Sequence, residues 1–351
     1  MEHEMIQKLM TQPGKIIFRK VPVAAPEQDE VTIKIHMIGI CGSDIHVYHG
    51  KHPFTPYPVT QGHEVSGEVA AFGANVTDLQ IGQKVTIEPQ VFCGKCHPCT
   101  HGKYNLCEEL KVMGFQTTGT ASTYFTVHRS KITVLPEAMS YEEGAMIEPL
   151  SVAVHAVRRF GDIQGKNVAV LGAGPIGNLV AQTAKGMGAA KVLITDISDY
   201  RLELAKECGA DEAVNTARCG FGKALIDCFG PDKADVIYDC AGNDITMDQA
   251  IQNARKGSTI ILVAVFSGIA KVDLAVLNDH ELDLNTTMMY RHEDYVKAIE
   301  LVNDGKVQLR PLMSKVFPFG KYLDAYRYID ENRETSMKIL IDVLDQKDIL
   351  L

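Results

Sequence analysis

No run of about eighteen apolar residues occurs in this 351-residue chain, so an ordinary membrane-spanning helix is excluded. The opening residues, MEHEMIQKLM, lack the apolar stretch and small-residue cleavage site of a signal peptide, which predicts a cytoplasmic protein. Positive charge is not in excess either. Thirty-five Lys and Arg stand against 44 Asp and Glu, and a net charge of −9 predicts no nucleic-acid or membrane partner. There is no internal repeat, low-complexity tract or flexible linker. What remains is ordinary globular composition, 46% hydrophobic and 23% charged, in a chain long enough for two domains.

The first 150 residues are dense in β-branched runs broken by glycine and proline, such as VTIKIHMIG (31–39), EVSGEVAAFG (64–73) and KVTIEP (84–89). They predict an antiparallel, barrel-like domain without a long helix before about residue 140. After Leu150 helical and strand patterns alternate. SVAVHAVRRF, GPIGNLVAQTAKGMG, RLELAKECGA and ITMDQAIQNARK read as helices. NVAVL (167–171), KVLITD (191–196), ADVIYDC (234–240) and STIILVAV (258–265) read as strands. Such units predict a doubly wound parallel sheet. EDYVKAIELVNDG and KYLDAYRYIDENRE then read as helices, and SMKILIDVL as a closing strand. The expected division is 1–150 with 290–351 as a β-rich catalytic domain, and 151–289 as the nucleotide-binding α/β domain.

Gly172, Gly174 and Gly177 form G-x-G-x-x-G between the strand NVAVL and a helix that opens with Pro175 and Ile176. The first glycine allows a tight turn, the second lets backbone approach a pyrophosphate, and the third permits close helix–strand packing. The next strand ends in Asp196, about twenty residues on, where a carboxylate accepts from the adenosine ribose and repels a 2′-phosphate. NAD is therefore expected, with Arg201 a lesser candidate for a phosphate contact.

Nine cysteines in a long chain without secretory features do not read as a disulfide framework. Cys93, Cys96, Cys99 and Cys107 fall within fifteen residues and offer four thiolates, a closed tetrahedral zinc site with a structural role. A second, open set must come from distant residues: Cys41 in CGSDIH, His63-Glu64 in GHE and Glu148 in IEPL. Thiolate, imidazole and carboxylate would leave a position for water or substrate. Alone, His63 reads as no more than a packed or surface histidine.

CGSDIH, GHE, the four-cysteine lobe, IEPL and GAGPIG, in that order, resemble the zinc-dependent medium-chain alcohol dehydrogenase family over essentially the whole chain. IEPQVFCGKCHPCTHGKYNLC and EEGAMIEPLSVAVHA are similar to its sorbitol (L-iditol) dehydrogenase branch, while ITDISDYRLELAKECGA also resembles threonine dehydrogenases. The resemblance implies a GroES-like catalytic domain, a Rossmann domain, two zinc ions per chain, and a homodimer or homotetramer paired through edge strands such as STIILVAV or its follower. It implies that Cys41, His63 and Glu64 hold the catalytic zinc, with Glu148 bound directly or through water. The charges of Cys41 and Glu64 would then balance the dication. The implied reaction passes hydride from a secondary carbinol of a polyol or sugar-like substrate to NAD. Ser43 is the expected first proton relay and His46 the next, with Asp44 orienting its neighbours. Tyr48, Phe115, Tyr290 and Arg291 are candidate pocket walls. Polyol dehydrogenases carry an Arg-Tyr pair where this chain has Tyr290-Arg291, and an arginine there suits a substrate carboxylate or phosphate. An amino-alcohol dehydrogenase of the threonine type is the rival reading.

Overall fold

The computed structural model describes residues 4–266 and 268–349. The chain opens with a hairpin of β1 (Glu4–Gln12) and β2 (Lys15–Pro22). Then come β3 (Glu30–Ile40), the short helix α1 (Gly42–Tyr48), β4 (Glu64–Phe72) and β5 (Lys84–Ile87). The cysteine lobe carries β6 (Gln90–Val91), α2 (His97–Thr100) and β7 (Lys111–Val112). β8 (Tyr124–His128), β9 (Ile132–Val134) and α3 (Tyr141–Ala145) complete this stretch. Alternation in β3 sends Val31, Ile33 and Ile35 into one core with Val65, Val69, Val85 and Ile87. β3 and β4 pair antiparallel with Gly39 opposite Glu64, which brings the end of one strand beside the start of the other.

The second compact unit runs from Pro149 to Leu312. It contains most of α4 (Ile147–Arg158), then β10 (Asn167–Leu171), α5 (Pro175–Gly186), β11 (Lys191–Asp196) and α6 (Asp199–Glu207). β12 (Glu212–Asn215), α7 (Phe221–Phe229), β13 (Val236–Asp239), α8 (Asp244–Asn253) and β14 (Thr259–Leu262) follow. α9 (Leu274–Asp279), β15 (Asp283–Thr286) and α10 (His292–Asn303) end it. The strands pair in parallel in the order β12-β11-β10-β13-β14-β15, the doubly wound Rossmann arrangement. β14 is shorter than STIILVAV suggested, because Val263 and Ala264 turn their N–H groups to the Asp239 carbonyl. It is also interior; β15 is the edge.

β16 (Met313–Pro318), α11 (Tyr322–Glu331) and β17 (Lys338–Asp342) return to the first unit, which comprises Met1–Glu148 and Met313–Leu351. The return thus comes at Met313 rather than 290. The reason is α10, whose Asp294 lies 2.8 Å from both His155 Nδ1 and Arg158 Nη1 on α4. Past the helix, the Gln308 N–H donates to Gln182 on α5 at 2.7 Å. β17 and β8 share one edge of β3, β17 along Met37–Ile40 and β8 along Glu30–Lys34. Among the described residues no helix is long and apolar enough to cross a membrane.

Candidate active site

The β3–β4 register assembles the open metal set. Cys41 caps α1 just past β3, Glu64 opens β4 and His63 immediately precedes it. One donor atom from each of Cys41, His63 and Glu64 lies within 4.8 Å of the others. Gly39 makes this possible, since a Cβ there would overlap the Glu64 carboxylate. His63 is buried, its Nδ1 has no hydrogen-bond partner among the described residues, and Asp44 Oδ2 is 3.8 Å away. Burial alone would lower the imidazole pKa, but Asp44, Cys41 and Glu148 outweigh it and carry it up to about 10. An anionic, buried pocket with soft and borderline donors fits a zinc ion.

One group escaped the sequence reading. Lys338, at the start of β17, is buried, and its Nζ meets both Glu64 oxygens at 2.7 Å. A lysine opening a strand reads as solvent-facing, and no local signal links it to a residue 274 positions away. The expected balance of Cys41 and Glu64 against a dication left this ammonium out. Lys338 offsets Glu64, and Asp44, Cys41 and Glu148 are the anionic groups that act on His63. Glu148 is buried in the first turn of α4 and acts electrostatically on both His63 and Lys338.

Asp44 is fully buried and accepts the Cys41 N–H at 3.0 Å, which holds the turn. Ser43 is half-buried and His46 exposed on the same short helix. Phe115 joins the cluster, its ring 4.9 Å from His63 and stacked at 4.8 Å on His52, a further unforeseen neighbour. Tyr48 stacks on Tyr326 at 5.0 Å. Tyr290 and Arg291 belong to the second unit. Tyr290 is wholly buried against Tyr295, while Arg291 heads α10 and pairs with Glu293 at 3.0 Å.

Cys93, Cys96, Cys99 and Cys107 also bring their sulfurs within 4.8 Å of one another. The N–H groups of Cys93 and Glu109 point at Cys107 Sγ, and that of Cys96 at Cys93 Sγ, at 3.3–3.4 Å. Backbone dipoles so aimed favour thiolates, and four of them close a tetrahedral site.

In the second unit β10 is followed directly by Gly172, whose φ of 94° few side chains tolerate. A Cβ on Gly177 would overlap the Gly172 carbonyl. Gly174 caps α5, and Pro175, Ile176 and Gly177 form its first turn, with the N–H groups of Ile176 and Gly177 free to meet a phosphate. A cavity of about 460 Å³ is lined by Gly172, Gly174, Asp196, Arg201, Ala241 and Asn243, among others. It lies beyond the ends of β10 and β13, where the sheet order reverses. Asp196 already accepts three backbone N–H groups, from Ala173, Ile197 and Ser198 at 2.7–2.9 Å. A carboxylate has about four acceptor sites, so one remains open to a further donor. Arg201 stands 3.9 Å from Asp196.

Comparison with known proteins agrees with this architecture. Residues 27–137 match the alcohol dehydrogenase GroES-like domain, and residues 175–304 match the zinc-binding dehydrogenase domain. The chain is 36% identical to 2-dehydro-3-deoxy-L-galactonate 5-dehydrogenase of Pseudoalteromonas atlantica, over 91% of this chain and 93% of that protein. It is 35% identical to sorbitol dehydrogenase 1 of Saccharomyces cerevisiae, over 90% and 91%. An Escherichia coli alcohol dehydrogenase crystallised with NADH superposes with a TM-score of 0.90 at 30% identity, covering 97% of this chain and all of that one. The chain belongs to the zinc-type medium-chain alcohol dehydrogenase family, within the group that contains the polyol dehydrogenases.

Proposed function

We propose that this dehydrogenase oxidises a secondary hydroxyl of a polyol or sugar acid to a ketone, with NAD as hydride acceptor. The observation that carries the reading is the anionic cluster of half-buried Cys41 with buried His63 and Glu64, on which Glu148 also acts. Zinc bound there would supply Lewis acidity, lowering the pKa of the substrate hydroxyl. Phe115 and His52 form an aromatic wall that keeps water from one side of the cluster. Ser43 accepts the hydroxyl proton and passes it to His46, whose exposed ring releases it to solvent. Glu148 accepts a hydrogen bond from a neighbouring hydroxyl, which favours vicinal diols. The relatives named above act on a sugar acid and a polyol, so the threonine-type reading is left without support.

A panel of polyols, sugar acids and amino alcohols with NAD, followed by the absorbance of reduced nicotinamide, tests this. Turnover is expected with members of the first two groups; best turnover on an amino alcohol would refute the assignment.

Asp196 supports NAD over NADP. A 2′-phosphate removes the hydroxyl donor and sets a dianion against the carboxylate. Together these cost on the order of 3 kcal/mol, or about a hundredfold in kcat/KM. Asp196→Ser is expected to narrow that ratio, and to weaken NAD as well because Ala173 in the glycine loop loses its acceptor. Equal kcat/KM with both cofactors in the unaltered enzyme would show that Asp196 does not face the ribose. For assembly, a homodimer or homotetramer paired through β15 fits the exposed Leu284 on that strand and the exposed Val265, Ile269 and Leu274 before it.

A further inference from the structure

Behind His63 lies a buried polar network that the reaction does not use. Lys8, on β1, is wholly buried, and its Nζ donates to Gln61 Oε1 at 2.6 Å. The Tyr326 hydroxyl on α11 donates to the same oxygen at 2.9 Å. On its other side, Gln61 Nε2 donates to the Asp44 carbonyl at 3.2 Å and to Asp44 Oδ1 at 3.1 Å. Both amide protons and both carbonyl lone pairs of Gln61 are thus engaged. The ammonium has further support from the ring faces of Tyr322 and Tyr326, at 4.6 and 5.3 Å.

A reversed Gln61 amide would set its carbonyl against a carboxylate and its NH2 against an ammonium. Lys8, a donor, excludes that arrangement. We propose that Lys8 and Gln61 are positioning residues of the catalytic metal centre, the ammonium fixing the amide so that its NH2 clamps Asp44 against the Cys41 backbone and beside His63. The inference rests on Cys41 and His63 being metal ligands. Burial brings the Lys8 pKa down to about 7 against the opposing pull of Asp44, so the lysine is kept at a cost that packing alone does not explain.

The test uses the full-length, zinc-loaded enzyme with Lys8→Met, Gln61→Leu and the double variant. Zinc is withdrawn by a chelator of known affinity, and the four-thiolate lobe in the same unit serves as internal control. The Lys8→Met and Gln61→Leu enzymes are expected to hold the catalytic zinc about tenfold more weakly with the lobe zinc unaffected, and cobalt in the catalytic site should show a shifted visible spectrum. The double variant removes the Lys8–Gln61 pair as a whole and so recovers part of the stability that Gln61→Leu loses by stranding the ammonium, yet it should still hold the catalytic metal weakly. It carries the test even if Lys8→Met alone fails to fold. A double variant with the wild-type cobalt spectrum and chelator competition would reduce the network to packing and overturn the proposal. One zinc in the wild type would instead overturn the ligand reading beneath it.

Discussion

Cys41→Ser is expected to leave one zinc per chain where the wild type holds two, and to lower turnover by on the order of a thousandfold or more. A serine hydroxyl keeps its proton near neutral pH and is a poor ligand beside a thiolate. With Lys338 offsetting Glu64, the altered centre retains one imidazole, a compensated carboxylate and Glu148, a set without its thiolate and too weak to hold the dication. The lost Lewis acidity is worth several kcal/mol, and each 1.36 kcal/mol is tenfold in rate. The four-thiolate lobe shares no ligand with this site, so its zinc and the fold should survive. Metal analysis of both proteins, with unfolding curves, checks the expectation. A wild type that turns over with a single zinc would overturn the two-site assignment.

Lys338→Met should be the most destabilising of these substitutions in the zinc-free protein, by about 3–5 kcal/mol. It strands Glu64 as a buried carboxylate without its partner, a far larger effect than losing a surface pair. Zinc should shrink the deficit, because the released carboxylate can lean on the metal instead. Turnover should still fall, since a site carrying one more negative charge is a weaker Lewis acid toward the substrate hydroxyl. Denaturant unfolding with and without zinc measures both effects, and Lys338→Arg, which keeps the charge, should recover part of the loss. Equal stability of Lys338→Met and wild type without zinc would mean that Glu64 is not held by this pair.

The sequence by itself determined everything that depends on neighbours along the chain. The glycine turn is a matter of φ angles and close approach within six residues, from Gly172 to Gly177, and the four-thiolate lobe closes within fifteen. The alternation of helix and strand after Leu150 follows from apolar periods of 3.6 and 2, and it foretold the parallel sheet. Cys41, His63 and Glu64 were legible as a set only through the resemblance of CGSDIH and GHE to a known family, since residue type alone left His63 an ordinary histidine. Tertiary structure decided what surrounds them. Lys338 reaches Glu64 only because β17 pairs with β3 beside β4, and Lys8 reaches Gln61 only because β1 runs past that loop. The burial of Tyr290 and the lone pairs already taken on Asp196 likewise depend on packing around them. A charge in a buried site is balanced by whatever the sheet register brings within contact, and register is set by the pairing of strands far apart in sequence. No local pattern records it.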